Sequence, residues 1–97
     1  QILSLIKFKE EKTSEIDILA INEENDSILF GECKWKENIS VESVLNDVRK
    51  KAERVEWGTN KRKEYFAIFA KSFKKRTSQE NVFLFDLTDM KKIFDNK

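Results

Sequence analysis

The chain has no histidine, no proline, one cysteine and two glycines in 97 residues. Each shortage closes a class of function. Without histidine the usual general base is gone, and with it the Ser-His-Asp and Cys-His constellations and most zinc sites. With glycine only at positions 31 and 58 there is no glycine-rich phosphate loop, so this segment alone carries no ATP or dinucleotide site. The lone Cys33 cannot form an internal disulfide, and its place in an apolar strand reads as a buried, reduced thiol without chemistry of its own. No apolar run approaches the roughly 18 residues of a membrane span, and the start lacks a charged-then-apolar secretory pattern. A cytoplasmic location with no membrane partner is expected.

What remains is a chain with both a core and a soluble surface: 38% charged and 39% hydrophobic residues, eight Phe and two Trp. Its length suits one domain over 1–97 that buries roughly 60 to 70% of the surface its unfolded form exposes. The net charge of +1 hides a strong asymmetry. Residues 49–76 hold eleven basic and three acidic side chains, a net +8, and the rest of the chain carries −7. Such a basic segment suits a polyanion while the acidic remainder supplies cation ligands, and a solvated helix face explains the same charges equally well.

Hydrophobic periodicity divides the chain into short elements. Residues 1–9 read as an edge strand ending in a polar turn over 10–14. Residues 15–21 read as a central strand with Ile16, Ile18 and Ala20 on one face and Glu15, Asp17, Leu19 and Ile21 on the other. After a hairpin turn over 22–27, residues 28–35 form an antiparallel third strand with Ile28, Phe30, Glu32 and Lys34 sharing a face. Ser40 caps a helix whose apolar positions Val41, Val44, Leu45, Val48, Ala52 and Val55 run to about Trp57, where Gly58 and the polar stretch over 59–63 end it. Residues 65–70 then form a strand parallel to the third. A basic connection over 71–81 leads to a last strand over 82–87, and Thr88 caps a short helix to Phe94. This is an α/β chain with a βββαβ core, then a last strand, in a mixed sheet flanked by helices.

Asp17 and the Glu32-Cys33-Lys34 run stand on two consecutive apolar strands. Two carboxylates on neighbouring strands suit a hard divalent cation such as Mg²⁺ or Mn²⁺, with water and a phosphate completing its shell. Lys34, about 6.5 Å from Glu32 along one strand face, reaches the same phosphate and its attacking water. It would orient or deprotonate that water, or offset transition-state charge. The chemistry this points to is phosphodiester cleavage. The same spacing also serves an inter-strand ion pair. Arg49, Lys50 and Arg54 on the helix and Lys71, Lys74, Lys75 and Arg76 beyond it are placed to follow a DNA backbone, which needs only positive charge. Trp35 and Trp57 read as packing residues.

The Glu15-Ile16-Asp17-Ile18 and Phe30-Gly31-Glu32-Cys33-Lys34-Trp35 segments resemble the PD-(D/E)XK, restriction endonuclease-like, nuclease superfamily. Within it they look like the C-terminal domain of archaeal-type ATPases, and the likeness extends through Phe69-Ala70-Lys71-Ser72-Phe73. The resemblance implies a metal-dependent endodeoxyribonuclease with Asp17, Glu32 and Lys34 as catalytic positions. It also implies the Cys33 carbonyl as a further metal ligand, Glu15 as an assisting carboxylate, DNA as partner and an ATPase domain upstream. The alternative is a catalytically inactive accessory module that binds DNA or protein for a P-loop ATPase. The superfamily's N-terminal helix has no counterpart here, so the chain reads as a fragment of a longer one. A homodimer through an edge strand or the aromatics of 65–70 is compatible with the sequence.

Overall fold

In a computed structural model of the chain, residues 3–9 and 15–95 are described, with side chains over 16–95. The elements run β1 (Leu3–Lys9), β2 (Glu15–Asn22), β3 (Ser27–Lys34), α1 (Val41–Ala52), β4 (Lys63–Ala70), β5 (Val82–Phe85) and α2 (Leu87–Asp95). The five strands form one sheet in the order β1-β2-β3-β4-β5. β1, β2 and β3 pair antiparallel, whereas β3, β4 and β5 pair parallel, so the sheet is mixed and the chain is α/β. β1 lies at one edge, as its sequence indicates, and the turn expected over 10–14 lies outside the described residues.

α1 is the crossover between the parallel strands β3 and β4. It buries Val41, Val44, Leu45, Val48 and Ala52 against the sheet face that carries Leu19, Ile21, Ile28, Phe30, Phe66 and Ile68. Phe30 stacks on Phe66 with ring centroids 5.6 Å apart. Phe30, Ile28, Ile68 and Val48 are almost wholly buried, and each such side chain contributes about 1.5–3 kcal/mol through burial. The Ser40 hydroxyl accepts from the Ser43 N–H at 3.3 Å and caps the helix as expected.

The C-terminal end of α1 departs from the sequence reading. The helix stops at Ala52, five residues before Trp57. Arg62, returning from the turn at Gly58, donates to the Ala52, Val55 and Trp57 carbonyls at 2.9, 2.6 and 2.9 Å and pairs with Glu64 at 2.7 Å. An arginine thus satisfies the Val55 and Trp57 carbonyls just beyond the helix and shares the Ala52 carbonyl with the Val55 N–H. Gly58 sits at φ +57°, which favours glycine. At the other end of the chain the cap of α2 is Asp86, not Thr88. The Asp86 carboxylate accepts from the Asp89 N–H at 2.8 Å and the Asp89 carboxylate accepts from the Asp86 N–H at 3.0 Å, a reciprocal capping box. β5 accordingly ends at Phe85.

Candidate metal centre

The site is built where β2 and β3 lose regular pairing. Between β1 and β2 the register moves from Ile6↔Leu19 to Phe8↔Ile16, so Lys7 alone spans the length of Asp17 and Ile18. This is a bulge, which re-aims side chains and is common beside functional sites. Its effect shows in the core: Ile16 joins the cluster of Leu19 and Ile21, which strict alternation forbids. The assignment of Ile16 to the face of Ile18 and Ala20 is corrected by this extra residue.

β2 pairs with β3 from Asn22↔Ser27 to Ile18↔Gly31. Beyond that point the Asp17 carboxylate takes over, accepting from the Cys33 N–H at 2.8 Å through Oδ2. Gly31 is required at the join, because a Cβ there would stand 2.9 Å from the Ile18 Cβ. The glycine of the Gly31-Glu32-Cys33-Lys34 run thus lets the strands close while Asp17 binds the backbone one residue past Glu32.

Glu32 points to the α1 side of the sheet and is only 5% exposed. Its two oxygens meet different lysines. Oε2 lies 3.7 Å from Lys34 Nζ, whose side chain is 43% exposed, and Oε1 lies 3.5 Å from Lys51 Nζ on the last turn of α1. Oε1 is buried and makes no hydrogen bond among the described residues. Burial raises the Glu32 carboxyl above the ordinary glutamate range; Lys51 opposes the rise, the Asp17 charge adds to it and Lys34 again opposes it.

The sequence missed Lys51. Its signal was available in the spacing: Val44, Val48 and Lys51 follow one another at four and three residues, on the helix face turned to the sheet. Cys33 also differs from expectation. It is exposed, because it alternates with Glu32 onto the sheet face opposite α1. Its thiol is held above the ordinary thiol range by partial burial and by the Asp17 and Glu32 charges, so it stays protonated and inert at neutral pH. Trp35 is exposed as well, whereas Trp57 packs on the core. The Glu15 backbone pairs with Lys9, and its side chain lies outside the described residues.

The basic residues fall into two groups. Arg49, Lys50 and Arg54 are exposed at the C-terminal end of α1, with the Arg49 guanidinium 5.4 Å from the Phe66 ring centre. Lys74 and Lys75 are exposed and line a cleft with Ser40, Val41 and Glu42 at the helix's other end. The exposed Lys71 donates its backbone N–H to the Lys36 carbonyl at 3.0 Å. Arg76 is committed elsewhere: it pairs with Asp86 at 2.8 Å and Asp89 at 2.9 Å, donates to the Leu84 carbonyl at 3.0 Å, and sits 5.6 Å from the Phe73 ring centre. Of the residues expected to follow a DNA backbone, Arg76 is thus already ion-paired to two carboxylates.

The donor set fits a hard divalent cation. Among the described residues no three His, Cys, Asp or Glu side chains come together, but Mg²⁺ is ordinarily held by one or two carboxylates with water and phosphate oxygens. Asp17 keeps its second oxygen beyond the one bound to the Cys33 N–H, and Glu32 presents its outer oxygen, Oε2, on the side of Lys34 while Oε1 faces Lys51. Among the described residues no helix is long and apolar enough to cross a membrane.

Comparison with known proteins finds a likeness over the same segment. Residues 5–52, from β1 through α1, match the model of DUF234, archaeal and bacterial proteins of unknown function. The chain is similar to an uncharacterized protein of Methanocaldococcus jannaschii, 32% identical over 77 residues, 77% of this chain and 17% of that protein. The chain therefore spans about a sixth of the length of the curated relative it matches. No solved structure matches it.

Proposed function

We propose that this chain is a divalent-cation-dependent nuclease domain of the PD-(D/E)XK kind that hydrolyses DNA phosphodiester bonds. The observation that carries the reading is that Asp17, at a bulge of β2 against β1, accepts from the Cys33 N–H next to the buried Glu32, whose carboxyl feels the Asp17 charge. Asp17, Glu32 and the Cys33 carbonyl would hold Mg²⁺ or Mn²⁺. A bound cation supplies charge to offset the phosphorus oxygens and acidifies the attacking water.

The chain's own residues do the rest. Glu32 is held by two lysines and is shielded from bulk water, which strengthens its interactions at the site. Lys34, near the protein surface, offsets charge on the scissile phosphate or aligns the water, in the manner of a fixed cation aimed at developing charge. Arg49, Lys50, Arg54, Lys71, Lys74 and Lys75 supply sequence-independent attraction to the DNA backbone. Incubation with plasmid and single-stranded DNA in Mg²⁺ or Mn²⁺ tests this: cleavage should be lost in Asp17→Ala, Glu32→Ala and Lys34→Ala. Full activity in the triple variant overturns it.

A second reading is an inactive accessory module of an archaeal-type P-loop ATPase, favoured by the small share of the longer relative that the chain spans. Carboxylate-dependent metal binding without cleavage of any DNA substrate would favour it.

A further inference from the structure

The Glu32 carboxylate faces two ways. Its Oε2 meets the half-exposed Lys34, on the side open to solvent, while its Oε1 is turned inward to Lys51 of α1. The Lys51 side chain is 20% exposed and its Nζ stands 3.5 Å from that oxygen. Oε1 has no hydrogen bond among the described residues, so within them Lys51 is its nearest charge partner. An isolated carboxylate oxygen this deeply buried is costly, and here it is met by a cation from a helix rather than by backbone N–H groups.

We infer that Lys51 is a positioning residue, which anchors the inner oxygen of Glu32 so that the outer oxygen is left to Lys34 and to a cation. The inference rests on reading Asp17 and Glu32 as the cation ligands. It assigns α1 a part in the site that neither strand residue can supply, since Lys34 shares the strand of Glu32 and reaches only its outer side. Groups that orient metal ligands from behind commonly change metal affinity 10–100-fold when removed.

The test is a calorimetric titration of Mn²⁺ into wild type, Lys51→Met and Lys51→Arg protein, each shown folded by circular dichroism. Lys51→Met keeps an unbranched stem and removes the charge. Repulsion alone predicts that losing a neighbouring cation tightens Mn²⁺ binding, whereas anchoring predicts the opposite sign. The expected result is a dissociation constant raised about tenfold or more in Lys51→Met and largely restored in Lys51→Arg. Equal or tighter binding in Lys51→Met, with wild type binding normally, overturns the role of Lys51 and leaves the metal site standing. No Mn²⁺ binding by wild type overturns both. Should Lys51→Met not fold, Lys51→Gln is titrated and read in the same way.

Discussion

Glu32 is buried at a cost to stability. Its folded-state pKa is raised, so between the ordinary glutamate range and that higher value the folded chain binds more protons than the unfolded one. Stability therefore falls as pH rises through that window and the charge penalty is fully present above it. Glu32→Gln should melt higher than wild type at pH 7, and the gap should close as pH drops below the ordinary glutamate range. In a domain of this size about 1 kcal/mol appears as roughly 4–8 °C in Tm, so thermal melts at several pH values resolve it. A lower Tm for Glu32→Gln at pH 7 would show that the two lysines more than offset the burial. Asp17 has the contrary character. Asp17→Ala leaves the Cys33 N–H without its acceptor and should cost about 1–3 kcal/mol in denaturant melts, whereas Asp17→Asn keeps an acceptor and should fold nearly as well as wild type.

At the scale of elements, two arginines do work that their place in a basic segment conceals. The Arg62 side chain is 6% exposed and joins the end of α1 to β4 through three carbonyls and Glu64. Arg62→Ala should lower stability by about 2–4 kcal/mol, because the part-buried Val55 and Trp57 carbonyls lose their donor and Glu64 its ion-pair partner together; a change below about 0.5 kcal/mol would be that of an ordinary surface residue. Arg76 ties β5 to the cap of α2. The Asp89 carboxyl is held below its ordinary range, first by the Asp86 N–H and then by Arg76, so its contribution is present above the ordinary aspartate range and lost as pH falls through the lowered value. Amide exchange at Met90 and Lys91 should quicken in that acid window, and exchange unchanged there would contradict the capping account. The strands, the crossover helix and the Ser40 cap were legible because period-2 and period-3.6 patterns report which faces are buried. The end of α1 was not, since Arg62, ten residues beyond Ala52, closes it through a tertiary contact. The bulge at Asp17 was hidden for the same reason, being a property of how two strands pair rather than of either strand.

Across the whole molecule, the +8 segment does not form a single strip. One group lies at each end of α1, a helix about 18 Å long, and Arg76 is withdrawn into an ion-pair cluster. Removing Lys74 and Lys75 together should weaken DNA binding and reduce its salt dependence, because fewer counterions are released. Arg76→Ala should leave that salt slope unchanged and lower stability instead; an equal loss of slope would mean that Arg76 also contacts phosphate. The sequence was able to mark Asp17, Glu32 and Lys34 because carboxylates and a lysine inside apolar strands are conspicuous. Helix spacing puts Lys51 on the sheet side of α1, but its reach to Glu32 depends on how far across the sheet α1 lies.

The central claim, that Asp17 and Glu32 form one cation site, is tested most directly by calorimetric titration of Mn²⁺ into wild type and Asp17→Asn protein. The account predicts binding by wild type and its loss in Asp17→Asn, with the melting temperature of the variant little changed. Equal Mn²⁺ binding by both proteins, or none by wild type, would contradict it.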